Sequence, residues 1–183
     1  MKIETRRLIL RRIEKKDIPD LIQNINNLNV SRYLLVVPYP YTLKDARWWV
    51  EHCKETEKEK TRNDYSFNIE LKSEKKIIGS IGLTHVDSFQ GTAEVGYWLG
   101  EKYWRQGMMS EALTVILNLA FEKLKLRRIN LFAYKENKAS NALARKFDFI
   151  YEGMKRMAVR AKSTGKIHDE NIYGLLKEEW KRK

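Results

Sequence analysis

The sequence predicts an α+β fold, a mixed and mostly antiparallel sheet of seven strands with four helices. Three observations carry this. In mid-chain, Phe67, Ile69 and Leu71 alternate with Ser66, Asn68 and Glu70, the period of a half-buried strand. Further on, Ala112, Leu113, Ile116, Leu117, Ala120, Phe121 and Leu124 form one stripe at 3.6 spacing, the mark of a helix with a single buried face. The elements also follow the order strand, two helices, three strands, helix, strand, helix, two strands. That order groups strands instead of alternating each with a helix.

Taken in turn, residues 8–12 read as the first strand. Asp17 is placed to cap a short helix whose apolar face is Leu21, Ile22, Ile25 and Leu28. Residues 33–41 hold Pro38 and Pro40 and form a loop, since proline lacks a donor and blocks helix. Thr42-Leu43-Lys44-Asp45 matches a capping box, with Ala46, Trp49, Val50 and Cys53 behind it at helical spacing. The strand at 67–71, a second at 77–86 and a third at 93–99 form a meander, turned at Glu74-Lys75 and at 88–92. Gly79 and Gly82 mark close approach of a neighbour. The long helix is expected over about 110–123, then a strand through Ile129, Leu131 and Ala133. Ala139, Ala142, Leu143 and Lys146 make a short fourth helix. Two closing strands follow near 149–157 and 167–176, with Thr164-Gly165 in the turn between them.

A chain of 183 residues with 43% hydrophobic content and five tryptophans can bury a real core, and no linker, repeat or low-complexity tract divides it, so residues 1–183 read as one domain. No apolar run is long enough to span a membrane, and the basic start leads into a strand and not into a signal-peptide apolar segment. The single Cys53 excludes an internal disulfide, and a reducing cytoplasm is the expected compartment. The net charge of +12 suits either a generally cationic surface or an anionic partner. Basic residues are spread along the chain, at Arg6-Arg7, Arg11-Arg12, 123–128 and Lys181-Arg182-Lys183. Without a dense basic arm, nucleic acid is not expected as a direct ligand, and residues 54–62 read as a solvated charged face.

The most informative stretch runs Trp98-Leu99-Gly100-Glu101-Lys102-Tyr103-Trp104-Arg105-Gln106-Gly107-Met108-Met109-Ser110. A strand passes through a glycine-bearing turn into the long helix. Such a junction aims backbone N–H groups and the positive end of the helix dipole at one place, where a phosphate fits. Gly107 is followed by Met108-Met109 and not by Lys-Ser/Thr, and no Gly-x-Gly-x-x-Gly occurs, so nucleoside triphosphates and nicotinamide cofactors lose support. What remains is a CoA-type turn, [Gln/Arg]-x-x-Gly-x-[Gly/Ala], with the N–H groups of Arg105, Gln106, Gly107, Met108, Met109 and Ser110 as the cradle. This copy departs from the pattern at Trp104 and Met109, and the Met109 side chain must point away from the phosphates.

A second segment follows one strand later: Asn137-Lys138-Ala139-Ser140-Asn141-Ala142-Leu143-Ala144-Arg145-Lys146-Phe147-Asp148-Phe149. With both segments, with Glu4-Thr5-Arg6-Arg7-Leu8-Ile9-Leu10-Arg11, with Ala93-Glu94-Val95-Gly96-Tyr97-Trp98-Leu99, and with His168-Asp169 and 173–180 in this order, the chain resembles the GNAT superfamily of N-acetyltransferases. The branch is that of the ribosomal-protein N-terminal acetyltransferases RimJ and RimL. The resemblance implies the GNAT fold, in which strands four and five splay apart and acetyl-CoA lies in the gap. It implies backbone bonds from Trp98 and Leu99 to the pantetheine arm, with Gly96 suited to a bulge at the parting point. Asn137 caps the fourth helix or bonds the pantetheine, and both can hold at different atoms. Ser140 is placed near the thioester sulfur as hydrogen-bond donor or acid; the position that carries a tyrosine acid in many GNAT enzymes is Ala144 here. Phe147 and Phe149 read as core.

The expected chemistry is direct attack of a neutral amine on the thioester carbonyl. An α-amine, with a pKa of about 8, is partly neutral at physiological pH, whereas a lysine at about 10.4 needs more help. Glu94 is the candidate base, alone or through water, and equally an exposed strand carboxylate. The N–H near Leu99 suits the developing oxyanion. His168-Asp169 lines the amine site or caps a strand. No metal is expected, because His52 and Cys53 diverge on a helix and His85 and His168 have no ligand partners in the sequence. The acceptor implied is a protein N-terminus, a ribosomal protein included. Two rivals stay open: a small-amine acetyltransferase, and a non-enzymatic module that binds CoA or RNA. A homodimer also stays open.

Overall fold

Antiparallel neighbours joined by short turns build most of the sheet. The computed structural model describes residues 1–56 and 63–180. Among these, β1 (Ile3–Glu4) and β2 (Leu8–Arg11) form a hairpin, and α1 (Ile18–Ile25), α2 (Leu28–Ser31) and α3 (Leu43–Thr56) follow. Next come β3 (Tyr65–Leu71), β4 (Lys76–Asp87) and β5 (Thr92–Leu99), then α4 (Met108–Asn118). The chain closes with β6 (Arg128–Tyr134), α5 (Lys138–Lys146), β7 (Ile150–Arg160) and β8 (Ile167–Leu176). All eight strands lie in one sheet, ordered β1-β2-β3-β4-β5-β6-β8-β7. Every pair is antiparallel except β5–β6, the expected meander being β3-β4-β5.

Helices cover both faces. On β5, Val95 and Leu99 join the main core with Leu113, Ile116 and Phe121, whereas Trp98 packs with Leu21, Ile25, Ala46 and Val50 of α1 and α3. Alternate strand residues point to opposite faces, so α4 lies on one side of β5 and the α1–α3 pair on the other.

Several expectations are corrected. The sheet has eight strands and the described residues five α-helices, not seven and four. The extra strand β1 is a two-residue edge pairing of Ile3 with Leu10 and Glu4 with Ile9, too short to show a period. The extra helix α2 arises because the first helix stops at Ile25. There the Asn26 side chain accepts from Tyr41 N–H at 2.9 Å and the Asn27 side chain accepts from Asn29 N–H at 2.8 Å, so both amides capture backbone donors and break the run. Leu28 therefore leaves the apolar face and is 40% exposed. Asp17 does not cap α1; it receives the Arg11 guanidinium at 2.7 and 2.8 Å and the Glu14 N–H at 2.8 Å. The long helix begins two residues early and ends in a π-helical turn, Leu119–Lys123, where Leu124 N–H reaches back to Leu119 C=O at 2.9 Å. Gly96 sits in regular register opposite Gly82; the bulge falls instead on β4, between Thr84 and Asp87. The Thr42–Asp45 capping box is present, with Thr42 N–H donating to Asp45 at 2.8 Å and Asp45 N–H to Thr42 at 3.3 Å. The charged face over 54–62 lies largely, and the basic group at 181–183 wholly, outside the described residues.

Candidate active site

The parallel pair β5–β6 is joined at Thr92–Arg128, Ala93–Ile129 and Glu94–Asn130, and then the two strands separate. β5 continues on β4 to Leu99, and β6 continues on β8 to Tyr134. The phase of the β4–β5 ladder tells which backbone groups the gap exposes. Gly100 N–H donates to Ile78 C=O at 2.8 Å, so alternate residues Trp98, Gly96 and Glu94 turn their backbone to β4. Val95, Tyr97 and Leu99 turn theirs to the gap. Leu99 C=O accepts from the Trp104 indole at 2.7 Å, which gives the unusual tryptophan a place: it closes the end of the strand. The Leu99 N–H and both backbone groups of Tyr97 remain on the open side. Such groups need partners when water is excluded.

The glycine turn lies at the start of α4. Arg105 and Gly107 both have positive φ, 59° and 75°, and alternation of this kind curls consecutive N–H groups into a concave nest. Gly107 is the N-cap and offers no side-chain acceptor. The first helical bond is Glu111 N–H to Gly107 C=O at 3.0 Å, so the N–H groups of Met108, Met109 and Ser110 precede it without an acceptor among the described residues. The Met108 side chain is buried and that of Met109 packs on the main core, which clears the amides. Lys146, at the end of α5, donates to Ser110 Oγ at 3.1 Å and adds positive charge. The turn is held from behind by Arg7. Its guanidinium donates to Gln106 C=O at 2.9 Å and to Glu111 at 2.7 Å. Glu111 also accepts from Arg7 N–H at 2.8 Å and Thr5 hydroxyl at 2.5 Å. Burial works to raise the Glu111 pKa, but these hydrogen bonds outweigh it and hold the carboxyl below its usual range.

Across the gap stands α5. Asn137 caps it, its side-chain oxygen accepting from Ser140 N–H at 3.2 Å. Ser140 Oγ lies 2.9 Å from the hydroxyl of Tyr97, which comes from β5. Ala144 is fully buried, and Phe147 and Phe149 are core, as expected.

The opposite face of the gap carries carboxylates and rings. Glu94, about a third exposed, lies 3.3 Å from His85 Nδ1, which the β4 bulge brings alongside it. Glu170 of β8 has a raised pKa, chiefly from burial, with Lys155 opposing the rise and Glu94 adding to it. Tyr134, the last residue of β6, stacks on His168 at 4.7 Å and meets Tyr33 edge-on at 6.4 Å. Its hydroxyl and His168 Nε2 are buried without a partner among the described residues. His168 Nδ1 lies 3.2 Å from Glu136, while Asp169 is tied to Met157 N–H at 3.0 Å and Lys135 at 3.3 Å. His168 thus lines this face and Asp169 serves the β7–β8 pair.

The nest residues, Leu99, Asn137 and Ser140 therefore gather around one gap with Glu94 at its closed end, whereas Trp98, expected to offer backbone bonds to the pantetheine, turns its backbone to β4 and its side chain into the α1–α3 face. Sequence reasoning missed Tyr97, His85, Glu170 and the Arg7–Glu111 clamp. A basic pair beside a strand gave no sign that Arg7 is used internally. Among the described residues no group of three His, Cys, Asp or Glu side chains could hold a metal, and no helix is long and apolar enough to cross a membrane.

Comparison with known proteins gives the family and the fold. Residues 7–150 match the acetyltransferase (GNAT) domain family. The uncharacterized N-acetyltransferase p20 of Bacillus licheniformis is 32% identical over 176 residues, 96% of each chain. The ribosomal-protein-serine acetyltransferase of Escherichia coli is 34% identical over 103 residues, 56% of each chain. Among solved structures, the microcin C7 self-immunity acetyltransferase MccE, in complex with acetyl-CoA and AMP, superimposes with a TM-score of 0.79 at 23% identity, covering 94% of this chain and 93% of its own.

Proposed function

The chain belongs to the GNAT acetyltransferase family, and on that premise we propose that it transfers an acetyl group from acetyl-CoA to the α-amino group of a polypeptide, a ribosomal protein being the expected class. The observation that carries the donor half is the uncapped, clamped nest at Gly107 beside a strand pair that parts. Three orphan amides and the helix dipole suit a diphosphate, and the open backbone of Tyr97 and Leu99 suits the amides of a pantetheine arm. When bound, acetyl-CoA supplies an activated acyl carbon whose bond to sulfur breaks as the bond to nitrogen forms.

The protein's own groups do the rest. Glu94 accepts the amine proton, directly or through water, and His85 holds the carboxylate in place. The negative charge that develops on the carbonyl oxygen falls to the gap-side Tyr97 N–H and not to Leu99 N–H, which serves the pantetheine and lies about 16 Å along the strand from Glu94. Ser140 donates to the departing sulfur. An α-amine needs only a modest base, since its pKa of about 8 leaves part of it neutral at pH 7. We place the reaction in the cytoplasm and within one domain. A free cationic amine is the second reading, favoured by the mutually repelling carboxylates Glu94 and Glu170, the latter beside Tyr134.

The test is turnover with acetyl-CoA against two panels, peptides with free N-termini and small amines, read as thiol release and as mass gain on the product. One acetyl at a peptide α-amine supports the reading. Acetylation of small amines alone overturns the acceptor half, and no thiol release from either panel overturns the whole.

A further inference from the structure

The pairing of Tyr97 with Ser140 spans the gap, and the two hydroxyls have unequal chemistry. Tyr97 comes from β5 three residues beyond the last β5–β6 pair, and Ser140 from the first turn of α5. Their oxygens are 2.9 Å apart, so one donates to the other. A phenol is the stronger acid and the poorer acceptor, because its lone pair is delocalised into the ring. An aliphatic hydroxyl is the better acceptor. The favoured arrangement has Tyr97 donating and Ser140 accepting. Burial pushes the Tyr97 pKa up to about 12, so at neutral pH the phenol carries a proton to donate, and the direction of the bond rests on the unequal acidity of the two hydroxyls.

This direction matters for Ser140. Were Ser140 the donor, its single proton would be engaged with the tyrosine. With Tyr97 as donor, that proton is free, and accepting one hydrogen bond strengthens the next one the same hydroxyl donates. The serine is also held from its backbone side by the Asn137 cap. We infer that Tyr97 is a positioning residue for the leaving group: it fixes the Ser140 hydroxyl across the gap and directs its proton to the sulfur that departs from the acyl carbon. As the carbon–sulfur bond breaks, the electron pair goes to sulfur and the Ser140 O–H stabilises it by hydrogen bonding; no proton need leave Tyr97. The inference rests on the acetyl-CoA reading of the gap.

The experiment compares the full chain with Tyr97→Phe, Ser140→Ala and the double variant. Phenylalanine keeps the ring and its packing, and melting temperatures check the fold. Binding of CoA and of desulfo-CoA, which lacks the sulfur, is measured by calorimetry, and kcat and KM by thiol release. The expected result is about tenfold weaker binding of CoA by Tyr97→Phe with desulfo-CoA unchanged. It is joined by a kcat about tenfold lower at an unchanged KM for acetyl-CoA, and by a double variant no worse than Ser140→Ala. Equal loss for both ligands, additive losses, or tighter binding by Tyr97→Phe would overturn the inference, the last by showing that the pair latches the gap shut. If the unaltered chain binds neither ligand, the acetyl-CoA reading itself falls. If it binds both and Tyr97→Phe changes nothing, only the role of Tyr97 falls.

Discussion

The two sides of the β5–β6 gap are built from different materials. On the side we propose for the acetyl donor the groups facing the gap are backbone N–H groups, fixed by a positive-φ turn and clamped from behind by Arg7 and Glu111. On the side we propose for the amine acceptor they are side chains: Glu94 with His85, Glu170 with Lys155, and the rings of Tyr33, Tyr134 and His168. Two carboxylates state the contrast. Glu111 is satisfied by donors that hold its pKa low, whereas burial raises that of Glu170. The first site is finished before anything binds. The second has a penalised charge and two buried atoms without a partner among the described residues, the Tyr134 hydroxyl and His168 Nε2. A frame that meets one constant donor can be completed in advance; a surface that selects an acceptor keeps polar capacity in reserve.

The sharpest way to break the contrast is to unclamp the donor side. Glu111→Gln leaves the Arg7 guanidinium without its carboxylate and should cost about 3 kcal/mol, lowering the melting temperature by about 5–10 °C and raising the KM for acetyl-CoA. The sign with pH follows from the lowered pKa. The carboxylate's contribution is full above the ordinary carboxylate value and is lost as pH falls through the lower folded one. Melting curves of the two proteins should therefore be far apart at pH 7 and converge in acid.

Next in size is Glu94→Gln, expected to lower kcat on the order of 100-fold with little change in stability or in the KM for acetyl-CoA. The deficit should narrow as pH rises past about 8, because more of an α-amine then arrives already deprotonated. A rate profile against pH checks this, and an undiminished rate at pH 7 would remove Glu94 as base.

Gly107→Ala is smaller. Its left-handed φ costs any residue with a Cβ about 1–2 kcal/mol, while the added carbon meets only an ordinary 3.5 Å contact with Arg7. A drop of a few degrees in melting temperature, with weaker CoA binding, is expected.

The smallest effect has the opposite sign. Glu170 has a raised pKa in the folded state, so its charge opposes folding once pH exceeds that value, and the penalty is absent below the ordinary carboxylate pKa. Glu170→Gln should raise the melting temperature slightly at pH 7 and leave it unchanged in acid. A fall at pH 7 would show that Lys155 outweighs burial.

The same division explains what could be read from residues alone. The Gly107 turn, the Asn137 cap, the Thr42–Asp45 box and the stripe of α4 are local, each made within a few residues, and each was legible. The Arg7–Glu111 clamp joins positions 104 apart and the Tyr97–Ser140 pair positions 43 apart. Both exist only because the sheet brings them together. His85 reaches Glu94 through a bulge on the neighbouring strand, which no period in the sequence signals. The short β1 and α2 escaped because two paired residues or one turn carry no periodicity. Trp104 read as a departure from a phosphate-turn pattern, yet its indole closes the strand before the turn.

The central claim is that the N–H groups of Met108, Met109 and Ser110 are the cradle for a CoA diphosphate. Titrating the isotope-labelled chain with CoA and following backbone amide resonances tests it directly. Saturable shifts at those three amides, larger than at the Tyr134–His168 face, are predicted. Resonances there that stay in place while others respond would contradict it.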